Sequence, residues 1–371
     1  MRKLRVALVA PSLDILGGQA VQADRLLRAW AADPEVDCRL VPINPVPPGP
    51  LRHAQRVKYV RTVATEGTYL PSLFTKLADT DVVHVFSASY TSFLLAPLPA
   101  ILAARALGRP VILNYRSGEA PDHLSRSRIA REALKRVDRN IVPSRFLVDV
   151  FQRFGISASI IPNVVDLERF CFRRRVPIGP RILSTRNFER LYNVGCTIRA
   201  FAIVQGQIPE ATLTLVGGGS EDAALRALVQ QLGLRGVTFV GRVQPSAMPE
   251  HYASHDIYLQ SPNIDNMPAS ILEAYASGLP VVSTDAGGIR SILHDGEHGL
   301  LAPLDDHATL AAHVLTLLRM PPLAEQLSAA AYAACAGYTW SAVREQWLSA
   351  YQDVLTATTR TPNPARAHDA V

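Results

Sequence analysis

Residues 261–284, SPNIDNMPASILEAYASGLPVVST, contain a polar loop, a helical pattern and a short apolar run in immediate succession. Pro268 stands near the predicted start of the helix and Gly278 just past its end, where proline and glycine are favoured at helix boundaries. The apolar residues 257–260 before the loop predict a strand. A strand, a helix and a second strand in this order form the βαβ unit from which parallel sheets are built.

The same alternation along the whole chain predicts two doubly wound α/β domains. Strands of the first domain are predicted at 6–10, 38–41, 82–86, 111–114, 139–142 and 159–161, with helices such as 19–31 and 91–107 between them. A charged, proline-bearing linker at 169–180 precedes a second series of strands at 182–185, 212–216, 238–240, 257–260 and 281–283. Ligands of such sheets bind beyond the carboxyl ends of the strands, so the loops at those ends are the candidates for binding and catalysis.

Length and composition favour a two-domain cytoplasmic protein. A chain of 371 residues is long enough for two cores. Its most apolar stretch, residues 93–104, contains two prolines and is shorter than the roughly 20 residues that span a bilayer. The apolar run after the charged start is too short for a signal peptide. The four cysteines show no CxxC spacing, which favours reduced structural thiols.

Positive charge is concentrated in the first half of the chain. Residues 1–170 carry 23 Lys and Arg against 15 Asp and Glu, a net charge of +8, and the remainder carries 15 against 17, a net charge of −2. Residues 52–61 and 125–136 concentrate this excess, and in the second stretch Ile129 is predicted on a buried helix face and Arg131 on an exposed one. A solvated helix face is the plainest interpretation, and a surface for acidic lipid headgroups is the functional alternative. Nucleic acid is less favoured, because the stretches lack interleaved aromatics.

Two acids in the opening segment are candidates for ligand binding. Asp265 lies in the loop before the helix and Glu273 lies one turn inside it. Acids near a helix start are also explained by the helix dipole alone. The free amides of such a start suit a diphosphate, however, and a carboxylate one turn in suits a diol such as ribose. Asp265 would then lie further out, beside a sugar attached to the diphosphate.

Two glycine-rich loops follow predicted strands. Gly17 and Gly18 precede the first helix, where backbone can approach an anion, although a plain turn explains such a pair equally well. Gly217 and Gly219 resemble a dinucleotide fingerprint, but Asp222 replaces its third glycine. A strand-to-helix turn capped by Ser220 is therefore the better interpretation, and a nicotinamide enzyme is disfavoured.

No metal site is predicted. Asp79 and Asp81 precede a strand rather than follow one, which places them at the wrong edge of the sheet. The histidines at 251 and 255 could share a helix face, but no third ligand is in view, and those at 294 and 298 lie around a turn glycine. Both pairs are therefore interpreted as structural or solvated.

The opening segment resembles the donor-binding signature of glycosyltransferase family 4, whose members are retaining enzymes of GT-B fold. In that family an acid, seven residues and a glutamate precede A-x-A-x-G-x-P-V-V; here Asp265, seven residues and Glu273 precede AYASGLPVVST. Further similar stretches are LTLVGGGSEDAAL (213–225), VTFVGRV (237–243), AGGI (286–289), GLLAPLDD (299–306), IVPSRFLVDVFQRFG (141–155) and IIPNVVDLERF (160–170). The resemblance covers nearly the whole chain.

The resemblance implies two Rossmann-like, doubly wound domains facing across a cleft. Residues 1–165 would form the acceptor-side domain and 175–338 the nucleotide-sugar donor domain. A helix at 339–355 would return to the first domain, and 356–371 would form a disordered tail.

The resemblance also implies roles for particular residues. Glu273 would bind the donor ribose and Asp265 a hydroxyl of the transferred sugar. Gly17 and Gly18 would close over the phosphates. The remaining implied donor contacts are the backbone at Met267, Ala269 and Ser270 and the base-binding loop with Arg242 and Val243.

The chain departs from the family pattern at three places. Asp265-Asn266-Met267-Pro268 replaces the usual Glu-Gly-Phe-Gly run. The usual phosphate-clamping Arg and Lys positions hold Asn187 and Tyr192, so Arg186 and Arg190 become the candidate cations. Arg116 stands where many members have His, and Glu119 and His123 are further acceptor-side candidates.

The sequence therefore predicts a retaining, metal-independent glycosyltransferase with Asp265, Glu273 and Arg186 as its catalytic residues. It would move a sugar from a nucleotide-diphosphate sugar to a glycan, lipid or small-molecule acceptor, without a further cofactor. It would be cytoplasmic, with a possible peripheral membrane association through its basic first domain. A nucleotide-sugar epimerase or hydrolase of the same fold, and a degenerate donor-binding scaffold, are the alternatives.

Overall fold

The computed structural model describes residues 2–14, 17–45 and 58–360. The chain divides into two compact units, which are described separately below. The first unit comprises Met1–Pro162 together with Val343–Val371, and the second comprises Asn163–Ala342.

The first unit is built on a parallel sheet that has six strands within the described residues. The strands are β1 (Leu4–Ala10), β2 (Val36–Pro42), β3 (Val82–Ser87), β4 (Val111–Tyr115), β5 (Arg139–Val142) and β6 (Ser159–Ile160), paired in the order β2-β1-β3-β4-β5-β6. Central strands β3 and β4 are buried along their whole length, as their continuous apolar runs require. The order reverses between β1 and β3, and loops at such a reversal form a crevice at the carboxyl edge of the sheet.

Helices connect the strands of the first unit and cover its sheet. They are α1 (Gly18–Ala31), α2 (Lys58–Leu77), α3 (Tyr90–Leu95), α4 (Pro97–Ala106), α5 (Ala120–Arg126), α6 (Arg128–Lys135) and α7 (Arg145–Arg153). The single helix predicted at 91–107 is therefore wrong: it is two helices that meet at Ala96. Pro97 has no backbone N–H to continue the first helix, but it suits the first position of the next one.

The second unit repeats the same architecture. Its strands are β7 (Arg181–Ser184), β8 (Thr212–Val216), β9 (Val237–Gly241), β10 (Ile257–Leu259), β11 (Val281–Thr284) and β12 (Leu300–Ala302), in the parallel order β12-β11-β10-β7-β8-β9. Its helices are α8 (Val194–Gln207), α9 (Asp222–Gln231), α10 (Met248–Ser254), α11 (Ala269–Ala276), α12 (His307–Arg319) and α13 (Pro321–Ala334). The edge strand β12 was not predicted, although β10, which is equally short, was.

The last helix, α14 (Trp340–Arg360), joins the core of the first unit from Val343 onward. The Trp347 ring stacks on His84 of β3 at a centroid distance of 4.6 Å, and the Tyr351 hydroxyl lies 2.9 Å from His84 Nδ1. Arg344 adds an ion pair with Asp33 at 2.6 Å. The helix continues through 356–360, where a disordered tail was predicted; residues 361–371 lie outside the described residues.

The basic helix α6 differs from its sequence interpretation in two side chains. Ile129, predicted to be buried, is 57% exposed. Arg131, predicted to be exposed, is half-buried, and its guanidinium donates to the carbonyl of Ser125 at 3.0 Å. The buried face is instead formed by Ala130, Ala133 and Leu134. Most of the other basic stretch, 52–57, lies outside the described residues.

Because Trp347 is fully buried against His84, Trp347→Ala should lower the free energy of unfolding of the first unit by about 3–5 kcal/mol, the range for deleting a large buried aromatic. Urea denaturation followed by circular dichroism measures the change. Gln352→Ala, at an exposed position of the same helix, should change it by less than about 0.5 kcal/mol. An unchanged midpoint for the tryptophan variant would show that α14 contributes little to this core.

Candidate active site

The carboxyl ends of β7, β10 and β11 lie side by side in the second unit, because β10 pairs in parallel with both neighbours. The loops that follow these strands therefore share one edge of the sheet. The loop after β10 leads into α11, which begins at Ala269 and is followed by Gly278 at a φ of +74°. These boundaries confirm the helix predicted from Pro268 and Gly278.

The start of α11 offers unoccupied backbone donors. Pro268 is its N-cap residue, with extended backbone, and no side chain caps the helix. The first N–H groups of an α-helix have no acceptor within the helix, and the helix dipole adds about half a positive charge there. Ala269 and Ser270 provide such groups at the sheet edge.

Contacts within the second unit fix the loop before α11. The N–H of Gly288 donates to the Asp265 carbonyl at 3.2 Å, and a Cβ added at Gly288 would lie 2.4 Å from the Asn266 carbonyl oxygen. The Asn163 amide donates to the Met267 carbonyl at 2.6 Å. Gly288, the second glycine of the AGGI stretch, is therefore required for close packing against the loop before α11. These contacts hold that loop in place.

An ion pair between Arg186 and Asp265 occupies the centre of this edge. The two side chains are 9% and 13% exposed. Arg186 Nη1 also donates to Ser270 Oγ at 3.2 Å, and its Cζ lies 4.1 Å from the centroid of the Tyr192 ring. Burial is the largest single influence and would lower the pKa of Arg186, but the Asp265 carboxylate together with the neighbouring tyrosines outweighs burial and raises it. The guanidinium is thus a fixed positive charge, and its buried Nε has no hydrogen-bond partner among the described residues.

Glu273 is held in a buried polar network one turn inside α11. Its side chain is 8% exposed and hydrogen-bonds with the Tyr252 hydroxyl. That hydroxyl lies 2.7 Å from Thr185 Oγ1, which in turn lies 3.2 Å from the Tyr258 hydroxyl. Burial, and then the Glu273 carboxylate, raise the pKa of Tyr252 well above its ordinary value, so the phenol stays protonated. The network orients the Glu273 carboxylate before any ligand binds.

The glycine run after β8 serves packing. A Cβ at Gly217 would lie 2.0 Å from the Arg186 carbonyl oxygen, and one at Gly219 would lie 2.4 Å from that of Phe188. The run lets the loop after β8 pack directly on the loop that carries Arg186. The predicted cap role of Ser220 is wrong, because the N-cap of α9 is Glu221 and Ser220 Oγ donates instead to Glu189 at 2.6 Å.

The other predicted donor contacts lie at the surface of the second unit. Arg190 is exposed in a short 3₁₀ helix, and it is Arg186 that pairs with Asp265. Arg242 is exposed and lies along Gly218, while Val243 packs on the hydrophobic core. Their contacts with a donor stay predictions.

In the first unit, the two predicted glycines lie at the carboxyl edge of the sheet. Gly17 is the N-cap residue of α1 and has no side chain that could cap the helix, which begins at Gly18. Gln19 Nε2 donates to the Ser87 carbonyl at 2.9 Å, which holds the helix start beside the end of β3. A Cβ at either glycine would meet no described atom within 4 Å, so packing does not explain them.

The three acceptor-side candidates differ in accessibility. Arg116 follows β4 directly, and its Cζ lies 5.2 Å from the centroid of the Phe86 ring. His123 is 1% exposed and its Nδ1 lies 2.8 Å from the Tyr115 hydroxyl, so it belongs to the interior. Burial lowers the pKa of His123. Burial and the nearby Asp122 carboxylate raise the pKa of the half-buried Glu119.

The possible metal ligands have protein partners. Asp81 forms ion pairs with Arg2 at 2.7 Å and Arg5 at 3.1 Å, and Asp79 pairs with Arg5. His255 Nε2 lies 2.8 Å from Thr214 Oγ1. In the described part of the chain one group has spacing suited to a metal: His294, Glu297 and His298, the first two exposed. The sequence interpretation overlooked Glu297 as its third member.

A parallel α/β sheet in each of two units is the architecture of GT-B glycosyltransferases. Two examples come from the solved structures with a similar fold. They are Anabaena HepE in complex with UDP and glucose (TM-score 0.74, 17% identity, 94% of this chain and 99% of that one) and sucrose-phosphate synthase from Thermosynechococcus elongatus (TM-score 0.75, 21% identity, 96% and 100%). These comparisons confirm the predicted fold class.

Two family models then identify the chain more narrowly. The Glycosyltransferase Family 4 model matches residues 16–169, and the model for glycosyl transferases group 1 matches residues 176–334. Together they cover most of the chain, which belongs to glycosyltransferase family 4. The predicted family is confirmed.

Characterised relatives support the same assignment. The chain is 28% identical over 291 residues to a phosphatidyl-myo-inositol mannosyltransferase from Mycobacterium leprae, covering 75% of each chain. It is 33% identical over 229 residues to a D-inositol 3-phosphate glycosyltransferase from Frankia alni, covering 56% of each.

Because a Cβ at Gly217 would overlap the Arg186 carbonyl, Gly217→Ala should destabilise the second unit by on the order of 1–3 kcal/mol and displace the Arg186 loop. Chemical denaturation measures the first effect. Gly206→Ala in α8, where a Cβ meets no described atom within 4 Å, should be neutral or slightly stabilising. Equal stability of the two variants would mean that the loop after β8 does not support Arg186.

Proposed function

We propose that this glycosyltransferase moves a sugar from a nucleotide-diphosphate sugar to an acceptor with retention of the anomeric configuration and without a metal ion. The observation that carries the proposal is one cluster in the second unit. Arg186, Asp265 and Ser270 meet at the uncapped start of α11, and Glu273 lies one turn further along.

The diphosphate of the donor would bind at the start of α11. The amides of Ala269 and Ser270 point from a positive helix end, which is a general anion site. Arg186 adds a guanidinium whose Nε is still unpaired and which suits phosphate oxygens. The Anabaena structure of similar fold holds UDP and glucose, which supports a nucleotide-linked donor.

The two carboxylates would orient the rest of the donor. Glu273, already held by Tyr252, would accept hydrogen bonds from the ribose hydroxyls. Asp265, in the loop ahead of the helix, would accept one from the transferred sugar. The Asp265–Arg186 ion pair ties the sugar-binding carboxylate to the phosphate-binding cation, so the two ends of the scissile bond would be positioned together.

The chemical step would rely on electrostatics. Breaking the sugar–phosphate bond leaves negative charge on the departing diphosphate and positive charge on the sugar ring. Arg186 and the α11 amides are fixed in place to stabilise the former, which is the largest contribution in many enzymes. These groups supply the positive charge that a metal ion would otherwise provide. The acceptor hydroxyl would attack from the face that the diphosphate leaves and pass its proton to the departing phosphate oxygen, so the configuration is retained.

The acceptor would be a glycan, a lipid or a small molecule. By name, two relatives act on phosphatidyl-myo-inositol and on D-inositol 3-phosphate, which favours a lipid headgroup or a small polyol here. On the acceptor side, Gly17 and Gly18 would close over the phosphates, while Arg116 and Glu119 would face the acceptor and the buried His123 would position Tyr115.

The first experiment is a thermal-shift screen of UDP- and GDP-linked sugars, followed by product analysis with a mixed acceptor extract. Transfer that depends on the acceptor supports the proposal. Donor turnover that is equally fast without any acceptor would favour the epimerase or hydrolase alternative. Tight donor binding without turnover would favour the scaffold.

With the donor identified by this screen, Glu273→Ala should lower kcat/KM by about 10²-fold, the scale expected when one oriented transition-state contact is lost. Glu250→Ala, which removes an exposed carboxylate on neighbouring α10, should leave kcat/KM within about twofold, because the Glu250 side chain is exposed to solvent. Wild-type kinetics in a folded Glu273→Ala variant would refute the assigned role of this carboxylate.

We further propose that this enzyme is cytoplasmic and associates peripherally with anionic membranes through its first unit. None of the helices in the described ranges is long and apolar enough to cross a bilayer. Three exposed apolar side chains lie on helices that meet at α4, against which α2 and α6 both pack: Phe74 on α2, Leu102 on α4 and Ile129 on α6. The exposed Arg128 and Lys135 flank Ile129 on α6. Apolar side chains beside basic ones suit the headgroup region of an anionic bilayer.

The wild-type protein should therefore sediment with vesicles that contain phosphatidylserine at low salt, and 0.5 M NaCl should release it. Arg128→Glu with Lys135→Glu should weaken binding by at least about 30-fold, since each basic residue contributes about 1 kcal/mol near such a surface and the two losses add to about 2 kcal/mol. Arg199→Glu with Arg235→Glu, an equal charge change at exposed positions of the second unit, is the matched control. If wild type fails to bind at low salt, the membrane proposal is wrong.

A further inference from the structure

Arg116 is a half-buried cation that forms no ion pair with an acid of the described residues. Two of its guanidinium nitrogens, Nε and Nη1, are inaccessible to solvent and have no hydrogen-bond partner among the described residues. Stacking over the Phe86 ring, at 5.2 Å from Cζ to the ring centroid, compensates only part of the lost hydration. Burial lowers the pKa of Arg116 to about 9, which still leaves the group charged at neutral pH.

The acids nearest in sequence do not neutralise this charge. Asp122 accepts from the Tyr90 hydroxyl at 2.7 Å and forms an ion pair with Arg126 at 2.8 Å. The pKa of Glu119 is raised by burial and by Asp122, whereas a cation beside it would lower that pKa. Asn114, on the same face of β4, offers a buried acceptor oxygen without a partner, but an amide carries no charge.

The two other groups near Arg116, His84 and the start of α1, carry no negative charge. His84, on the same face of the sheet, has a pKa held well below its ordinary value by burial and then by Arg116, so it is neutral. The uncapped start of α1 is tied to Ser87, the residue after Phe86, through Gln19. The guanidinium and the positive end of a 14-residue helix therefore lie at the same end of β3, where the strand order reverses.

Buried charges in folded proteins are paired, because removing an ion from water without a partner is costly. The partner missing from the described residues is then supplied by a ligand, and the carboxyl edge of the sheet is where ligands of doubly wound units bind. The planar guanidinium fits carboxylate and phosphate groups. We propose that Arg116 binds an anionic group, phosphate or carboxylate, carried by the acceptor. This inference rests on the proposed function. We assign the anionic group to the acceptor rather than to the donor, because Arg186 and the start of α11 already bind the donor diphosphate in that proposal.

Inorganic phosphate is the probe for this site. It is titrated calorimetrically into the full chain at pH 7.5 and constant ionic strength, with chloride as the balancing ion. Arg116→Gln should weaken phosphate binding at least tenfold, and Arg116→Lys should restore part of it as a point charge. Arg186 is itself a proposed phosphate ligand, so the Arg116 variants are compared in an Arg186→Gln background, where the binding event that depends on Arg116 should persist. Phosphate binding that is unchanged in Arg116→Gln would overturn the proposal.

Stability separates a ligand site from a structural role. Because the charge is unpaired, Arg116→Gln should leave the midpoint of thermal unfolding within about 2 °C of wild type or raise it. A fall of about 5 °C or more would indicate that the guanidinium holds the fold together, and would count against a ligand site.

Donor titrations distinguish the two possible sources of the anion. Affinity for the nucleotide sugar found in the screen should be unchanged in Arg116→Gln, whereas the KM for an anionic acceptor should rise about tenfold. An equal loss of donor affinity would overturn the acceptor assignment, because the anion would then be the donor diphosphate. Failure of the donor to bind even the wild type would instead count against the proposed function.

Discussion

The parallel pairing of β10 with both β7 and β11 is the constraint on which the candidate active site depends. It brings three loops to one edge, so that Arg186 after β7 and Asp265 after β10 form an ion pair although they are 79 positions apart in sequence. The pair is almost fully buried and needs further partners, which Ser270 and Tyr192 provide. Glycines at 217 and 288 allow neighbouring loops to pack closely enough to hold it. The charged groups are therefore consequences of strand order and of close backbone packing.

The distribution of charge partners separates the two units. In the second unit the buried cation has its carboxylate, and burial of both is compensated within the protein. In the first unit the Arg116 guanidinium lies over an aromatic ring, and two of its nitrogens have no hydrogen-bond partner in the part of the chain that the structure describes. A cation with a carboxylate partner is held in one position before any ligand binds. A cation without such a partner gains its electrostatic stabilisation only when an anionic ligand binds. In our proposals this difference corresponds to donor binding in the second unit and to binding of the anionic acceptor group in the first.

Much of the fold could be predicted from the sequence, because buried parallel strands leave continuous apolar runs and Pro268 and Gly278 mark the ends of α11. Three features could not. The break at Ala96 depends on a proline inside a continuous apolar pattern, strand β12 was missed while the equally short β10 was found, and Ile129 is exposed although its spacing is that of a buried face. At the site, Asp265, Glu273 and Arg186 were found by position and resemblance. Tyr252 and Thr185 were missed, since a hydroxyl that orients a carboxylate through space leaves no local pattern.

The chain leaves the first unit at Pro162 and returns to it at Val343, with the whole second unit between. The second unit is thus continuous and can fold as soon as it emerges from the ribosome. The first unit must wait, with Trp30 and His84 lacking their partners on α14, until the final helix has been synthesised. During translation the basic half of the enzyme is consequently the last to become compact, and a ribosome that stops before residue 343 releases a chain with one finished domain and one open core.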